Sequence, residues 1–405
     1  MPSASASAPA IRDRGAAARR ARALARLAGL AGLILLALGR PAAASLPYAA
    51  ALARCYDAIL DGRFADAEAE IGRACGPAPP ETCLLMRANA EWWQLQMNPN
   101  DRSRDRQIES RIQTAITANE RWTDREPKRA DAWFFRGAAY AIRVQFRVLR
   151  GSRLAAARDG KRIKQALERA LALDPTMQDA YFGIGLYHYY AGIAPGILKV
   201  VAWLLALPGG DRAQGLQEMW RARDKGELLR GEADFQLASL DLWFEHRTDE
   251  ALSLLGGLRK TYPHNPIFLQ VIADAQDTYR HDRAASLAAW TELDTLAREG
   301  RVGFPEMSGV RARIGMATEL DAMGDRGRAV DLLRAVVASK PSAPYGALAL
   351  AHLKLASALD RLGQRAAAID AYRAAIAAAP PGDPDHVRDR AREGLDHPPG
   401  TRSSR

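Results

Sequence analysis

An all-α solenoid built from antiparallel helix pairs is the fold this sequence predicts, on three observations. Small and bulky residues recur together at fixed spacing, and glycines and prolines fall at the same points of each recurrence. The composition, 48% hydrophobic and 26% charged, is that of an ordinary folded soluble chain rather than a disordered one.

The first forty-four residues read as a removable leader. Arg12, Arg14, Arg19, Arg20, Arg22 and Arg26 precede an apolar run from Leu27 to Leu38, and Ala42 and Ala44 make an A-x-A cleavage site before Ser45. The run is short for a bilayer span, which takes about 20 apolar residues; the alternative is an uncleaved anchor. The leader holds seven Arg and one Asp, so its removal takes six from the formal charge of +10. The remaining charge is too mild to argue for nucleic acid, no nucleic-acid module is recognisable, and we expect a periplasmic or secreted protein.

In an oxidising compartment the three cysteines imply one disulfide and one leftover thiol. Cys75 and Cys83 flank the proline-rich turn Gly76-Pro77-Ala78-Pro79-Pro80, which could bring one helix end close to the next helix start, and we expect them to pair. Cys55 then reads as a small packed residue.

The repeat is carried by four matching sets: Cys55, Ala67, Ile71, Ala74 and Pro79; Ser239, Ala251, Leu255, Leu258 and Pro263; Ala317, Ala329, Leu333, Val336 and Pro341; Ala356, Ala368, Tyr372, Ala375 and Pro380. A small residue on one helix facing a small residue on the next lets two backbones approach closely, and a bulky residue one turn on fills the groove between them. Gly62, Gly324 and Gly363 stand five residues before the second-helix alanine, where a positive φ would end the first helix. The prolines close the second helix or open the next.

These offsets resemble the pattern of the tetratricopeptide-repeat superfamily, as do Trp133, Gly137 and Tyr140, and Tyr181 with Gly185, at first-helix positions. The resemblance covers roughly residues 48 to 380 and implies a right-handed α-solenoid of about eight helix pairs that binds a protein or peptide and catalyses nothing. The expected division is a signal peptide at 1–44, the solenoid at 45–380, and a final helix with a disordered tail at 381–405, where Pro381, Pro384, Pro398 and Pro399 fall.

Two pairs are stretched. An insertion of fourteen residues in the third lengthens its helices and carries a basic run over 143–164, including Arg143, Arg147 and Arg150, with only Asp159 against it. The run is either a solvated face or a docking patch for an acidic peptide or an anionic headgroup. An insertion of eighteen in the fourth, near 193–212, carries an apolar stretch over 193–207 with Trp203, and resembles one in the inclusion-body-clearance branch of tetratricopeptide proteins. It either caps the gap of a stretched pair, walls an apolar site, or dips into a membrane interface, which gives the alternative function of a peripheral membrane or envelope-associated protein.

Beside the basic run lie Tyr181, Phe182, Tyr187, His188, Tyr189 and Tyr190, six aromatic rings in ten positions and too many for one buried stripe, so some should line a groove. His188 has no metal-ligand partner at helical spacing, and neither a phosphate loop, a nucleophile elbow nor a paired-carboxylate frame is present, so we expect no cofactor, no metal and no enzyme. The expected binding surface is the concave face formed by the first helix of each pair, with Arg143, Arg147, Arg150, Tyr181, Tyr187, His188, Tyr189 and Trp203 as candidate contacts.

Overall fold

The computed structural model describes residues 46, 48–193 and 209–397. The leader, Trp203 with most of the fourth-pair insertion, and the last residues of the tail lie outside them.

Seventeen α-helices are described, and sixteen of them form eight consecutive antiparallel pairs. The pairs are α1 (Ala49–Leu60) with α2 (Phe64–Ala74), α3 (Pro80–Met97) with α4 (Asp105–Arg125), α5 (Ala130–Leu149) with α6 (Arg153–Leu173), and α7 (Ala180–Ile193) with α8 (Arg212–Lys225). They continue as α9 (Arg230–Leu240) with α10 (Thr248–Thr261), α11 (Pro266–Thr278) with α12 (Arg283–Arg298), α13 (Pro305–Ala322) with α14 (Arg326–Ser339), and α15 (Ala347–Arg361) with α16 (Arg365–Ala378). The last helix, α17 (Val387–Asp396), covers the end of the stack, where Gly394 lies so close to the Tyr372 ring that a Cβ would meet it at 2.3 Å.

Every small and bulky residue of the four repeat sets is buried, from Cys55, Ala67, Ile71 and Ala74 to Ala356, Ala368, Tyr372 and Ala375. Gly62, Gly324 and Gly363 have φ of +74°, +92° and +76° and follow the last residue of a first helix, a conformation glycine takes without strain. The second helices start on side-chain caps in several pairs: Asp211, Asp282 and Asp325 accept from the backbone N–H three residues on. In the stretched third pair the extra residues become helix, giving α5 and α6 lengths of 20 and 21 residues. The fourth pair is closely packed: a Cβ on Gly215 would stand 2.6 Å from Gly185 O and 2.5 Å from Tyr189 N.

The eight pairs do not leave their first-helix face open along its whole length. Trp93 of α3 packs on Phe235 of α9 with ring centroids 5.5 Å apart, and Phe235 on Phe268 of α11 at 5.7 Å. The end of α1 is tied to the turn between α10 and α11: Asn265 Nδ2 donates to Leu60 O (2.6 Å), Tyr262 Oη to Asp57 Oδ1 (2.9 Å), and His264 N to Asp61 Oδ1 (3.0 Å). Farther along, Tyr345 N donates to Asn98 Oδ1 (2.8 Å), and Arg311 reaches Gln270 and the backbone of Met97. The first two pairs thus occupy the face that pairs five to seven present, a seam joining residues about 200 positions apart. The first-helix face of pairs five to seven is thus filled by the chain itself; the candidate contacts read from sequence lie on the third and fourth pairs and in the insertion between α7 and α8.

Cys75 and Cys83 are bonded across the turn from α2 to α3, with Cα atoms 5.9 Å apart. Cys55 is a buried free thiol whose pKa burial pushes up to about 11, so it stays protonated and inert at neutral pH.

Candidate docking surface

Much of the basic run is tied up within the chain. Asp159 is fully buried on α6 and accepts two hydrogen bonds from Arg143 (2.8 and 2.9 Å), one from Arg162 (2.7 Å) and one from Arg147. Arg143 also lies over the Tyr140 ring, 4.9 Å from its centroid. Arg150 spans to the second pair, holding both carboxylate oxygens of Asp105 at 2.7 Å and the carbonyl of Pro99 at 2.7 Å. The three arginines singled out from sequence are therefore structural ties, one set within the third pair and one between pairs.

The aromatic candidates divide in the same way. Tyr181 lies beneath the Arg221 guanidinium at 3.7 Å, Tyr187 packs beside Lys164, and His188 Nδ1 bonds Glu218 Oε2 at 2.7 Å. Tyr189 is fully buried, and its hydroxyl donates to Glu245. Glu245 also takes two hydrogen bonds from Arg212, which hold its carboxyl below the usual carboxylate range.

Glu245 closes a five-residue π-turn, Asp241–Glu245, that ends α9. Its extra residue per turn breaks the register of the first-helix face, so Trp243 and Phe244 point outward. The turn is braced on both flanks: Glu245 by Tyr189 and Arg212, and Asp241 by the Arg247 side chain (2.9 Å). Trp243 is 58% exposed and Phe244 43%, and Phe244 meets Tyr190, itself 43% exposed, edge to face at 6.0 Å.

The same end of the next three first helices carries an exposed apolar side chain. Tyr279, Met323 and Leu362 are the C-cap residues of α11, α13 and α15, and are 37%, 51% and 40% exposed. Adjacent pairs are linked at this end: Arg280 pairs with Asp249, Arg283 donates to Ala322 O (3.1 Å), and Arg361 pairs with Asp321. Packed helices lie about 10 Å apart, so Tyr190, Trp243 with Phe244, Tyr279, Met323 and Leu362 form a row on the order of 40 Å long across five consecutive pairs. Large apolar side chains exposed in series along one edge mark interaction surfaces.

Sequence reasoning named Tyr189 and Tyr190 in one aromatic cluster but missed the rest of the row. A signal was present in Met323-Gly324 and Leu362-Gly363, where a large apolar residue directly precedes a helix-ending glycine. The π-turn left none. Among the described residues there is no group of His, Cys, Asp and Glu able to hold a metal ion, and no helix is long and apolar enough to cross a membrane.

No protein-family profile matches the chain, and no curated protein matches it. Among solved structures it is similar to one described as the crystal structure of the APC/C hetero-tetramer Cut9–Hcn1, at 12% identity and a TM-score of 0.46. That match covers 82% of this chain and 53% of the other, so the chain spans about half the length of that protein. It is also similar to yeast Tom70, at 15% identity and a TM-score of 0.39, over 86% of this chain and 83% of that one. The fold assignment rests on the eight helix pairs themselves.

Proposed function

We propose that this chain is an exported, non-catalytic, tetratricopeptide-like scaffold that docks a protein or peptide along the turn edge of its fourth to eighth pairs. The observation that carries the reading is the row from Tyr190 to Leu362, in which consecutive pairs each expose a large apolar side chain at the same helix end. The aromatic candidates of the fourth pair serve this surface from behind: Tyr189 fixes Glu245 and so the π-turn that presents Trp243 and Phe244. Arg143, Arg147 and Arg150 hold the third pair to itself and to the second, and need touch no partner.

The test pairs two double variants, Trp243→Ala with Phe244→Ala and Met323→Ser with Leu362→Ser, in crosslinking pull-downs from the native cell. All four side chains are exposed, so folding should survive unchanged by circular dichroism. We expect both variants to lose the same captured protein by more than about tenfold, the size of one or two lost interface anchors. Undiminished capture by both would overturn the reading. Export has its own measurement: N-terminal sequencing of the mature protein should begin at Ser45, and a retained Met1 in the cytoplasmic fraction would refute it.

A further inference from the structure

The seam between the first two pairs and the fifth contains a carboxyl with no counter-charge. Glu232 is fully buried near the start of α9, where Gly231 packs against Leu60 of α1 and the Tyr262 ring so tightly that a Cβ would meet both at 2.7 Å. The polar and titratable groups around it come from every side of the seam. They are Tyr56 and Asp57 of α1, Asn89 and Trp93 of α3, Asp179 ahead of α7, Asp234 and Gln236 of α9, and Tyr262 after α10. None of them is a cation. Gln236 reaches Glu232 Oε1 at 3.4 Å, and among the described residues no donor meets Oε2 at hydrogen-bond geometry.

We propose that this seam is a pH-sensitive clasp, in which ionisation of Glu232 loosens the seating of the first two pairs on the first-helix face of the fifth and sixth. An ionised carboxylate in an apolar seam without a cation is costly, and opening the seam lets water solvate it. Phe235 and Phe268, which now pack against Trp93 across the seam, would become the exposed lining of the groove that α1 and α3 fill. The clasp therefore regulates access to that face, and it stands on the closure geometry independently of any partner at the turn edge.

Burial raises the Glu232 pKa to about 7, with the Gln236 amide pulling the other way. The closed state thus holds the proton that the open state gives up near pH 4.5. A raised carboxyl pKa gives stability that is complete at acid pH and is lost as pH rises through 7. With those two values, the opening equilibrium rises about 70-fold between pH 5 and pH 8.

Hydrogen–deuterium exchange of the full chain across that range, corrected for intrinsic amide rates, reads the opening directly. We expect protection in α1, α3 and α9 to fall by tens of fold. Protection in α14 and α16, which belong to a separate hydrophobic cluster, should stay level. Glu232→Gln, and Glu232→Met as a second neutral replacement, should flatten the pH dependence at the protected level. His264→Gln, which removes a second titratable tie across the seam, to Asp61, should leave it in place. Wild-type protection that does not change with pH would overturn the clasp. So would a dependence that survives both Glu232 variants, or one that disappears in His264→Gln.

Discussion

Replacing Asp159 with asparagine removes one charge and no volume, and the arrangement around it sets the size of the effect. Four guanidinium hydrogen bonds from three arginines converge on a carboxylate with no exposed surface. Breaking a buried ion pair by removing one partner costs about 3–5 kcal/mol. Arg162 is half exposed and Arg147 about a quarter, so both can turn toward water, where such pairs contribute little. Arg143, only 11% exposed and pinned over Tyr140, cannot. One trapped guanidinium puts the loss near the lower end, about 3 kcal/mol, or a fall in melting temperature of roughly 4 °C for a chain of this size. Chemical denaturation of Asp159→Asn, Arg143→Ala and the double variant should show a coupling above about 1 kcal/mol. The freed arginines should also make Asp159→Asn bind anionic vesicles in a salt-sensitive way that the wild type does not. A loss below 1 kcal/mol, or wild-type vesicle binding that Arg147→Ala abolishes, would refute the structural reading of the basic run and restore its role as a docking patch.

Three further outcomes follow from single contacts. Asn265→Ala removes the cap on Ile267 N and leaves the buried Leu60 carbonyl without its donor; we expect a loss of about 2–4 kcal/mol, and an unfolding free energy lowered by less than about 1 kcal/mol in chemical denaturation would contradict the seam. Gly215→Ala places a methyl group against two backbone atoms at 2.5 and 2.6 Å, where no side chain can yield. The fourth pair should splay, costing 3 kcal/mol or more as a rough figure, which limited proteolysis of α7 and α8 would detect. Reducing Cys75–Cys83, eight residues apart, should cost about 2–3 kcal/mol; equal thermal stability with and without reductant would show that the bond contributes nothing to the folded state.

Local periodicity made the pairs legible. Ala317 with Ala329, or Cys55 with Ala67, are neighbours across one turn, so their spacing is a direct image of helix contact, and the caps at Gly62, Gly324 and Gly363 are equally local. The seam was not legible, because Leu60 and Asn265 are separated by some 200 residues and neither carries a pattern that names the other. The site was half legible for a related reason. Composition showed that Arg143, Arg147 and Arg150 cluster, but not that Asp159 and Asp105 stand opposite them, since a buried acid among bases looks on paper like a small correction to a positive patch. Tyr189 stood out as an aromatic among aromatics, yet its role depends on Glu245, brought to it by a π-turn that no helical spacing anticipates.

Photo-crosslinking from defined positions tests most directly whether the partner docks on the turn edge while the first-helix face is held closed by the chain itself. A photoreactive amino acid would be placed in turn at Trp243, Met323 and Leu362 on the edge, at Tyr56 and Gln236 beside the seam, and at the exposed Arg373 as a control. We expect one and the same partner to crosslink from the three edge positions at pH 5, where the seam is closed, and from neither seam position nor the control. Crosslinks from Tyr56 or Gln236 with none from the edge would place the partner in the groove and contradict the docking surface.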